Sequence, residues 1–171
     1  MAASDTSFLI RPVRPDEYEA LGELLVAAFH SLPPLMTNQD AHDRELRNVA
    51  RRAQTSSVLV AVTPTDELLG GVTYVRGPED PYSRELRPGE AGMRMLGVRP
   101  GCQGRGVGRA LTEACLDRAR TDGRARLRLY TASWMLAAQH LYERLGFYRV
   151  PDLDFPSADM LAYAADLEAG A

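Results

Sequence analysis

Between an apolar run ending at Val98 and an amphipathic segment from Val107 onward stands Gln103-Gly104-Arg105-Gly106-Val107-Gly108, and no other stretch constrains the fold as much. A glycine-rich turn leading from a strand into a helix exposes the unpaired N–H groups and partial positive charge of the helix start. Small residues let phosphate oxygens approach those groups closely, so the segment is suited to hold a phosphate or pyrophosphate. Arg99, Arg105 and Arg109 stand where charge-assisted contacts to such an anion would arise. Glycines that serve turn geometry alone are the alternative reading, because an isolated glycine motif is weak. A Walker loop needs Lys and then Ser or Thr after its last glycine, but Gly101 to Gly106 is followed by Val107-Gly108. A dinucleotide fingerprint would need glycine where Arg109 stands, and it normally opens its domain.

Hydrophobic periodicity sets the elements around this turn. Phe8 to Val13 reads as a strand, and Arg14-Pro15-Asp16 opens a helix with the stripe Leu21, Leu24, Leu25, Ala28 and Phe29. Ser31 to Asn38, with Pro33-Pro34, breaks the pattern before a polar helical segment at about Ala41 to Ala53. Val58 to Val62 and Leu68 to Val75 form a hairpin through Pro64-Thr65-Asp66, followed by a loop from Gly77 to Gly89. A loop of that length inside a compact domain points to function. The remainder reads as a strand at Met93 to Val98, the glycine turn, and a helix over Val107 to Thr121 with Val107, Leu111, Ala114 and Cys115 on its apolar face. Then come a strand at Leu127 to Thr131, a helix at Leu136 to Leu145 stopped by Gly146, and a final hairpin from Tyr148 and Met160 to Leu167 around the loop Pro151 to Ser157.

A chain of 171 residues, 45% of them apolar, is expected to close one core, so residues 1–171 read as a single domain. Its net charge of −3 supplies no general attraction to nucleic acid or to anionic membranes, and neither is an expected partner. All 20 basic residues are Arg. No apolar stretch approaches the ~20 residues that span a bilayer. Met1 to Ser7 lacks a basic and apolar leader, which together with only two cysteines, Cys102 and Cys115, leads to a cytoplasmic expectation. His30, His42 and His140 show no metal-ligand spacing, so no metal is expected.

Taken together, Met95-Leu96-Gly97-Val98-Arg99-Pro100, Gln103 to Gly108 and Leu141-Tyr142-Glu143-Arg144-Leu145-Gly146-Phe147 resemble the GNAT superfamily of acyl-CoA-dependent N-acyltransferases. The likeness is close over about Met93 to Phe147 and elsewhere concerns only the order of elements. It implies an α+β fold with a mixed, mostly antiparallel sheet flanked by helices and splayed between Met93 to Val98 and Leu127 to Thr131 to admit acetyl-CoA. The pantetheine arm would pair with backbone of Leu96, Gly97 and Val98. The pyrophosphate would lie on Gln103, Gly104, Arg105, Gly106, Val107 and Gly108, with Arg109 beside it. A homodimer is also implied by the resemblance, although no pattern in the chain specifies an interface.

Attack of an amine on a thioester needs a neutral nucleophile, a stabilised oxyanion and a proton for the thiolate. An ammonium of ordinary pKa near ~10.4 must first lose its proton, at roughly 4–5 kcal/mol at pH 7. By analogy with the family, Tyr142 would protonate the leaving thiolate; the alternative is a packed aromatic on the stripe of Ala138, Leu141 and Leu145. Many relatives place a Glu eleven residues before the motif Gln, where this chain has Gly92. Glu90 lies two residues earlier, on the same face of a regular strand, and would act as base through a water; the alternative is a solvated carboxylate at a loop end. Met135 stands where the family often has Asn, and Trp134 is a candidate for the acceptor pocket or for a core anchor. Cys102 would be a nucleophile only in a double transfer.

The acceptor, an amine on a small molecule or a protein N-terminus, is expected to be recognised by Ser31 to Asn38, Gly77 to Gly89 and Pro151 to Asp159. Glu79, Asp80, Glu85, Asp152, Asp154 and Asp159 make two of these segments acidic, which suggests a cationic acceptor. A non-catalytic acyl-CoA-binding sensor or interaction module, and an enzyme using a longer acyl group, are the competing readings.

Overall fold

The computed structural model describes residues 7–32 and 39–168. Strands β1 (Leu9–Pro12), β2 (Ser57–Val62), β3 (Leu68–Val75), β4 (Glu90–Val98), β5 (Arg126–Ala132), β6 (Tyr148–Arg149) and β7 (Met160–Asp166) pair in the order β1-β2-β3-β4-β5-β7-β6. The helices are α1 (Tyr18–His30), α2 (Gln39–Arg47), α3 (Val49–Thr55), α4 (Val107–Thr121) and α5 (Leu136–Arg144). β4 and β5 run parallel, whereas β1 with β2, β5 with β7 and β6 with β7 are antiparallel. This is the mixed, mostly antiparallel sheet that the resemblance implies. No described helix is long and apolar enough to cross a membrane.

The chain divides into two compact units, one of residues 1–73 and 95–112, the other of residues 74–94 and 113–171. In the first, Leu21, Leu24, Leu25 and Val26 of α1 form a core with Leu46, Val49, Val58, Val60, Val62 and Leu68. The expected single helix at Ala41 to Ala53 is two helices, interrupted at Asn48 (ψ 53°). The buried guanidinium of Arg52 supplies the reason: it donates to the carbonyls of Glu45 and Leu46 at the end of α2 and to Thr73 Oγ1. The acceptors left over by the break are thereby satisfied. Residues 33–38, most of the first expected acceptor segment, lie outside the described residues.

Two glycines let the layers of this unit approach closely. A Cβ on Gly70 would stand 2.7 Å from the carbonyl oxygen of Gly97 and 3.1 Å from Val107 Cγ1, whereas one on Gly97 would meet the end of the Leu25 side chain at 2.8 Å. Backbone yields less readily than a side-chain tip. Gly70→Ala is therefore expected to destabilise the protein by about 2–3 kcal/mol, in the range of core overpacking, and Gly97→Ala by less. Urea midpoints of the two variants check that order; equal midpoints would contradict it.

In the second unit β5 is the organising strand. It pairs with β7 along its whole length, from Arg126↔Asp166 to Ala132↔Met160. Its parallel ladder with β4 covers three residues, Glu90↔Arg126 to Gly92↔Arg128. β4 thus begins three residues earlier than its apolar pattern announces. Beyond the ladder, β4 runs on to Val98 through Met95, whose φ of +54° turns the strand. That conformation costs a non-glycine residue about 1–2 kcal/mol, so the surrounding structure must impose it. On the α4 segment of this unit Cys115, Leu116 and Ala119 are buried, while Ala114, expected on the apolar face, is only half-buried.

Candidate active site

The glycine turn lies in the first unit. The Arg99 N–H donates to the Leu69 carbonyl (2.8 Å), Cys102 N–H to the Arg99 carbonyl (2.9 Å), and Gly101 N–H to Gln103 Oε1 (2.9 Å). Gly104 and Gly106 have φ of +77° and +83°, and a Cβ on either would meet nothing within 4 Å. Backbone conformation, not crowding, therefore accounts for both glycines. The helical hydrogen bond from Ala110 N–H to the Gly106 carbonyl (3.0 Å) marks the start of α4. Gln103, Gly104, Arg105 and Gly106 are exposed at that start, as is Arg109 on the first turn. The arrangement is an open helix N-terminus, with Arg105 in the turn before it and Arg109 on its first helical turn. Leu96, Gly97 and Val98 lead into it along β4, and Arg99 is ion-paired with Glu67 (3.3 Å).

Tyr142 belongs to the second unit, and the residues around it explain its setting. Phe147 N–H donates to the Tyr142 carbonyl (3.0 Å), Gly146 N–H to the Glu143 carbonyl (3.1 Å), and Gly146 has φ of +92°. These are the two hydrogen bonds and the left-handed residue of a Schellman ending. Its customary apolar contact is the edge-on packing of Phe147 against Tyr142, 5.7 Å between ring centres. The run Tyr142 to Phe147 is thus a helix stop that fixes Tyr142. The ring also lies 6.4 Å from that of Tyr163 and is 5% exposed. Burial raises the phenol's pKa, with Cys115 adding to the effect, which makes the hydroxyl a weaker acid than an exposed phenol. Burial likewise pushes the Cys115 thiol up to about 12, which leaves it inert as a nucleophile.

Glu90, also in the second unit, is 6% exposed and so is not the solvated loop-end group of the alternative reading. Its Oε2 accepts from the Arg87 N–H (2.9 Å) and from Arg128 Nη1 (2.9 Å), and Arg126 lies 3.8 Å from Oε1. Arg128, 1% exposed, donates as well to the Glu85 carbonyl (2.9 Å) and the Tyr130 hydroxyl (2.7 Å). Sequence reasoning did not single out Arg128 or Tyr130. The signal was the alternation Arg126, Arg128, Tyr130 along one face of β5.

Two of the expected acceptor segments meet at a cavity of about 410 Å³ lined by Arg84, Glu85, Phe155, Ser157, Ala158 and Met160. Much of the acidity of these segments is already engaged. Asp80 accepts from the Tyr82 N–H (2.9 Å), and Asp159 is bonded to Ser133 (2.8 Å). Both Asp154 oxygens pair with Arg149 (2.7 Å each), which holds that carboxyl below its ordinary range. Trp134 is half-buried, and its indole N–H has no acceptor among the described residues.

The pattern of the acetyltransferase (GNAT) family matches residues 18–147. A mycothiol acetyltransferase of Jonesia denitrificans is 31% identical over 159 residues, covering 86% of this chain and 48% of the relative. The chain spans less than half the length of the curated relatives it matches. Among solved structures, an acetyltransferase of the GNAT family from Staphylococcus aureus Mu50 superposes with a TM-score of 0.75 at 15% identity, covering 95% of this chain and all of the other. The PaiA N-acetyltransferase of Thermoplasma acidophilum, solved in complex with coenzyme A, gives 0.73 at 16% identity, covering 94% and 99%. At these identities the structural likeness concerns the fold.

Proposed function

Because the chain belongs to the acetyltransferase (GNAT) family, we propose that it is an N-acetyltransferase, moving the acetyl group of acetyl-CoA to a primary amine by direct attack. The observation that carries this reading is the open start of α4, with positive-φ glycines at 104 and 106 and exposed Arg105 and Arg109, inside the matched span. In this reading the backbone from Gln103 to Gly108 and the Arg109 side chain hold the pyrophosphate, and Leu96, Gly97 and Val98 offer backbone groups to the pantetheine. Residues 1–171 work as one catalytic domain, in the cytoplasm and as a homodimer, without nucleic acid or membrane as partner. The names of the matched relatives favour a small-molecule acceptor over a protein N-terminus.

The reaction forms a C–N bond and breaks the C–S bond, and a proton passes from nitrogen to sulfur. In this reading Tyr142, a neutral phenol at pH 7, donates to the sulfur as the thiolate leaves. Glu90 accepts the ammonium's proton through a water. Glu90→Gln is then expected to lower kcat/KM about a hundred-fold at pH 7 and to recover as the pH rises toward the pKa of the amine. A profile parallel to that of the unaltered enzyme would sink the base role.

Thiol release from acetyl-CoA with a broad panel of primary amines tests the reading as a whole. Amine-dependent release is expected; release no faster than the blank, while acetyl-CoA still binds, would leave the second reading, a binding module without turnover. The engagement of Glu90 by Arg128 is the observation that favours that alternative.

A further inference from the structure

Arg128 joins both lining segments of the second unit's cavity to Glu90. Its Nη1 donates to the Glu85 carbonyl (2.9 Å) and to Glu90 Oε2 (2.9 Å), so the cavity rim and the proposed base share one nitrogen. Its Nη2 donates to the Tyr130 hydroxyl (2.7 Å), and the Tyr130 ring packs against Phe155 of the other lining segment, 5.2 Å between ring centres. A molecule seated between Glu85 and Phe155 is therefore separated by a single guanidinium from the carboxylate to which the proposed reaction sends its proton.

Each lining segment is held from within. Ser83 N–H donates to the Asp80 carbonyl (2.9 Å) and Leu86 N–H to the Ser83 carbonyl (3.2 Å), the latter oxygen also taking a bond from Arg94 Nη2 (3.1 Å), and Leu86 is buried. Phe155 and Met160 exchange backbone bonds of 2.9 and 3.1 Å around the turn Pro156–Ala158. The cavity is thus formed before a ligand arrives, which spares ordering cost on binding. At about 410 Å³ it stands near the lower end of small-molecule sites. Phe155, Ala158 and Met160 make much of its lining apolar. Glu85 is the single carboxylate in that lining, and its oxygens have no described partner, whereas Asp80, Asp154 and Asp159 are engaged. Arg84 lines the cavity as well, and a second positive charge on a ligand would meet its repulsion.

From these contacts we propose that the cavity receives the acceptor, a primary monoamine on an apolar body, with its ammonium beside Glu85 and its body against Phe155, Ala158 and Met160. The inference rests on the N-acetyltransferase reading and narrows the cationic acceptor suggested by loop composition to one with a single charge.

The experiment measures thiol release from acetyl-CoA with propylamine, butylamine, pentylamine and hexylamine, and with diaminobutane, which carries an ammonium where pentylamine has its terminal methyl. Across the series kcat/KM is expected to rise about three-fold for each added methylene, the increment of partly buried apolar surface, and pentylamine to exceed diaminobutane about ten-fold. In Phe155→Ala the rise is expected to fall below about two-fold per methylene, because the apolar wall is lost. In Ala158→Phe, at an exposed position that would fill the cavity, the hexylamine-to-propylamine ratio is expected to drop about ten-fold. A residue that merely braced its loop would lower all rates together and leave the slope alone. A flat series, a diamine as good as pentylamine, or a slope untouched in both variants would overturn the inference and leave the acetyltransferase reading standing. If no amine is acetylated, calorimetric titration of hexylamine into the protein decides. Binding weakened about five-fold or more by Glu85→Gln supports the site, and no binding, or binding indifferent to that change, overturns it. Failure of acetyl-CoA itself to bind would sink the parent reading, and the titration would still report on the cavity.

Discussion

Tyr142→Phe is expected to reduce kcat for acetyl transfer by about a hundred-fold or more while leaving the unfolding midpoint and the affinity for acetyl-CoA nearly unchanged. The size follows from the usual contribution of a positioned proton donor. The selectivity follows from the site. The ring is fixed by its packing against Phe147 and Tyr163 and by the helix ending at Gly146, all of which Phe retains. Only the hydroxyl is removed. Rapid-quench measurement of the acetyl-transfer step with saturating amine checks the prediction. Unaltered turnover would show that Tyr142 is a packed aromatic in a capping motif and nothing more.

Arg128→Met is expected to destabilise the protein by about 3–5 kcal/mol, the cost of leaving a buried partner charge unanswered. Glu90 is 6% exposed and takes its buried side-chain hydrogen bond from Arg128, and the Glu85 carbonyl and Tyr130 hydroxyl lose a donor as well. The pair Arg128→Met with Glu90→Gln is expected to cost less than the sum of the two single changes, since the second removes the charge that the first strands. Urea unfolding of the four proteins measures the coupling. A loss under about 1 kcal/mol for Arg128→Met, or strictly additive effects, would contradict a buried, mutually dependent pair.

The half of the chain that carries the motifs was legible because local chemistry and tertiary placement agree there. α4 has the bounds its periodicity announces, and Gly146 stops α5 where its left-handed φ would place a stop. Legibility failed where a distant partner decides. Nothing near Asn48 signals a break between α2 and α3; the guanidinium of Arg52 makes the break tolerable. Glu90, Ala91 and Gly92 carry little strand propensity, and their pairing with Arg126 to Arg128 supplies what propensity does not. The conformations of the glycine turn and of the helix end at Tyr142 could be read from sequence because each sits in a local motif. The environments of Glu90, Arg94 and Arg128 could not, since which charges are paired is settled by the approach of a loop, a strand and a neighbouring strand. For the same reason, the sequence does not tell which loop carboxylates are engaged within the protein, as Asp80, Asp154 and Asp159 are.

The central claim, that the turn from Gln103 to Gly108 holds the pyrophosphate of acetyl-CoA, is tested most directly by thermal unfolding with and without acetyl-CoA. At a hundred times its dissociation constant a ligand adds about 2.7 kcal/mol, which for a chain of this length corresponds to a rise of roughly 5–10 °C in Tm. The account predicts a shift of that order with acetyl-CoA, not reproduced by ATP or NAD and diminished in Gly106→Ala, where a Cβ would disfavour the positive φ. An unchanged Tm at saturating acetyl-CoA would mean that the glycines serve the turn alone, and the proposed activity would fall with the site.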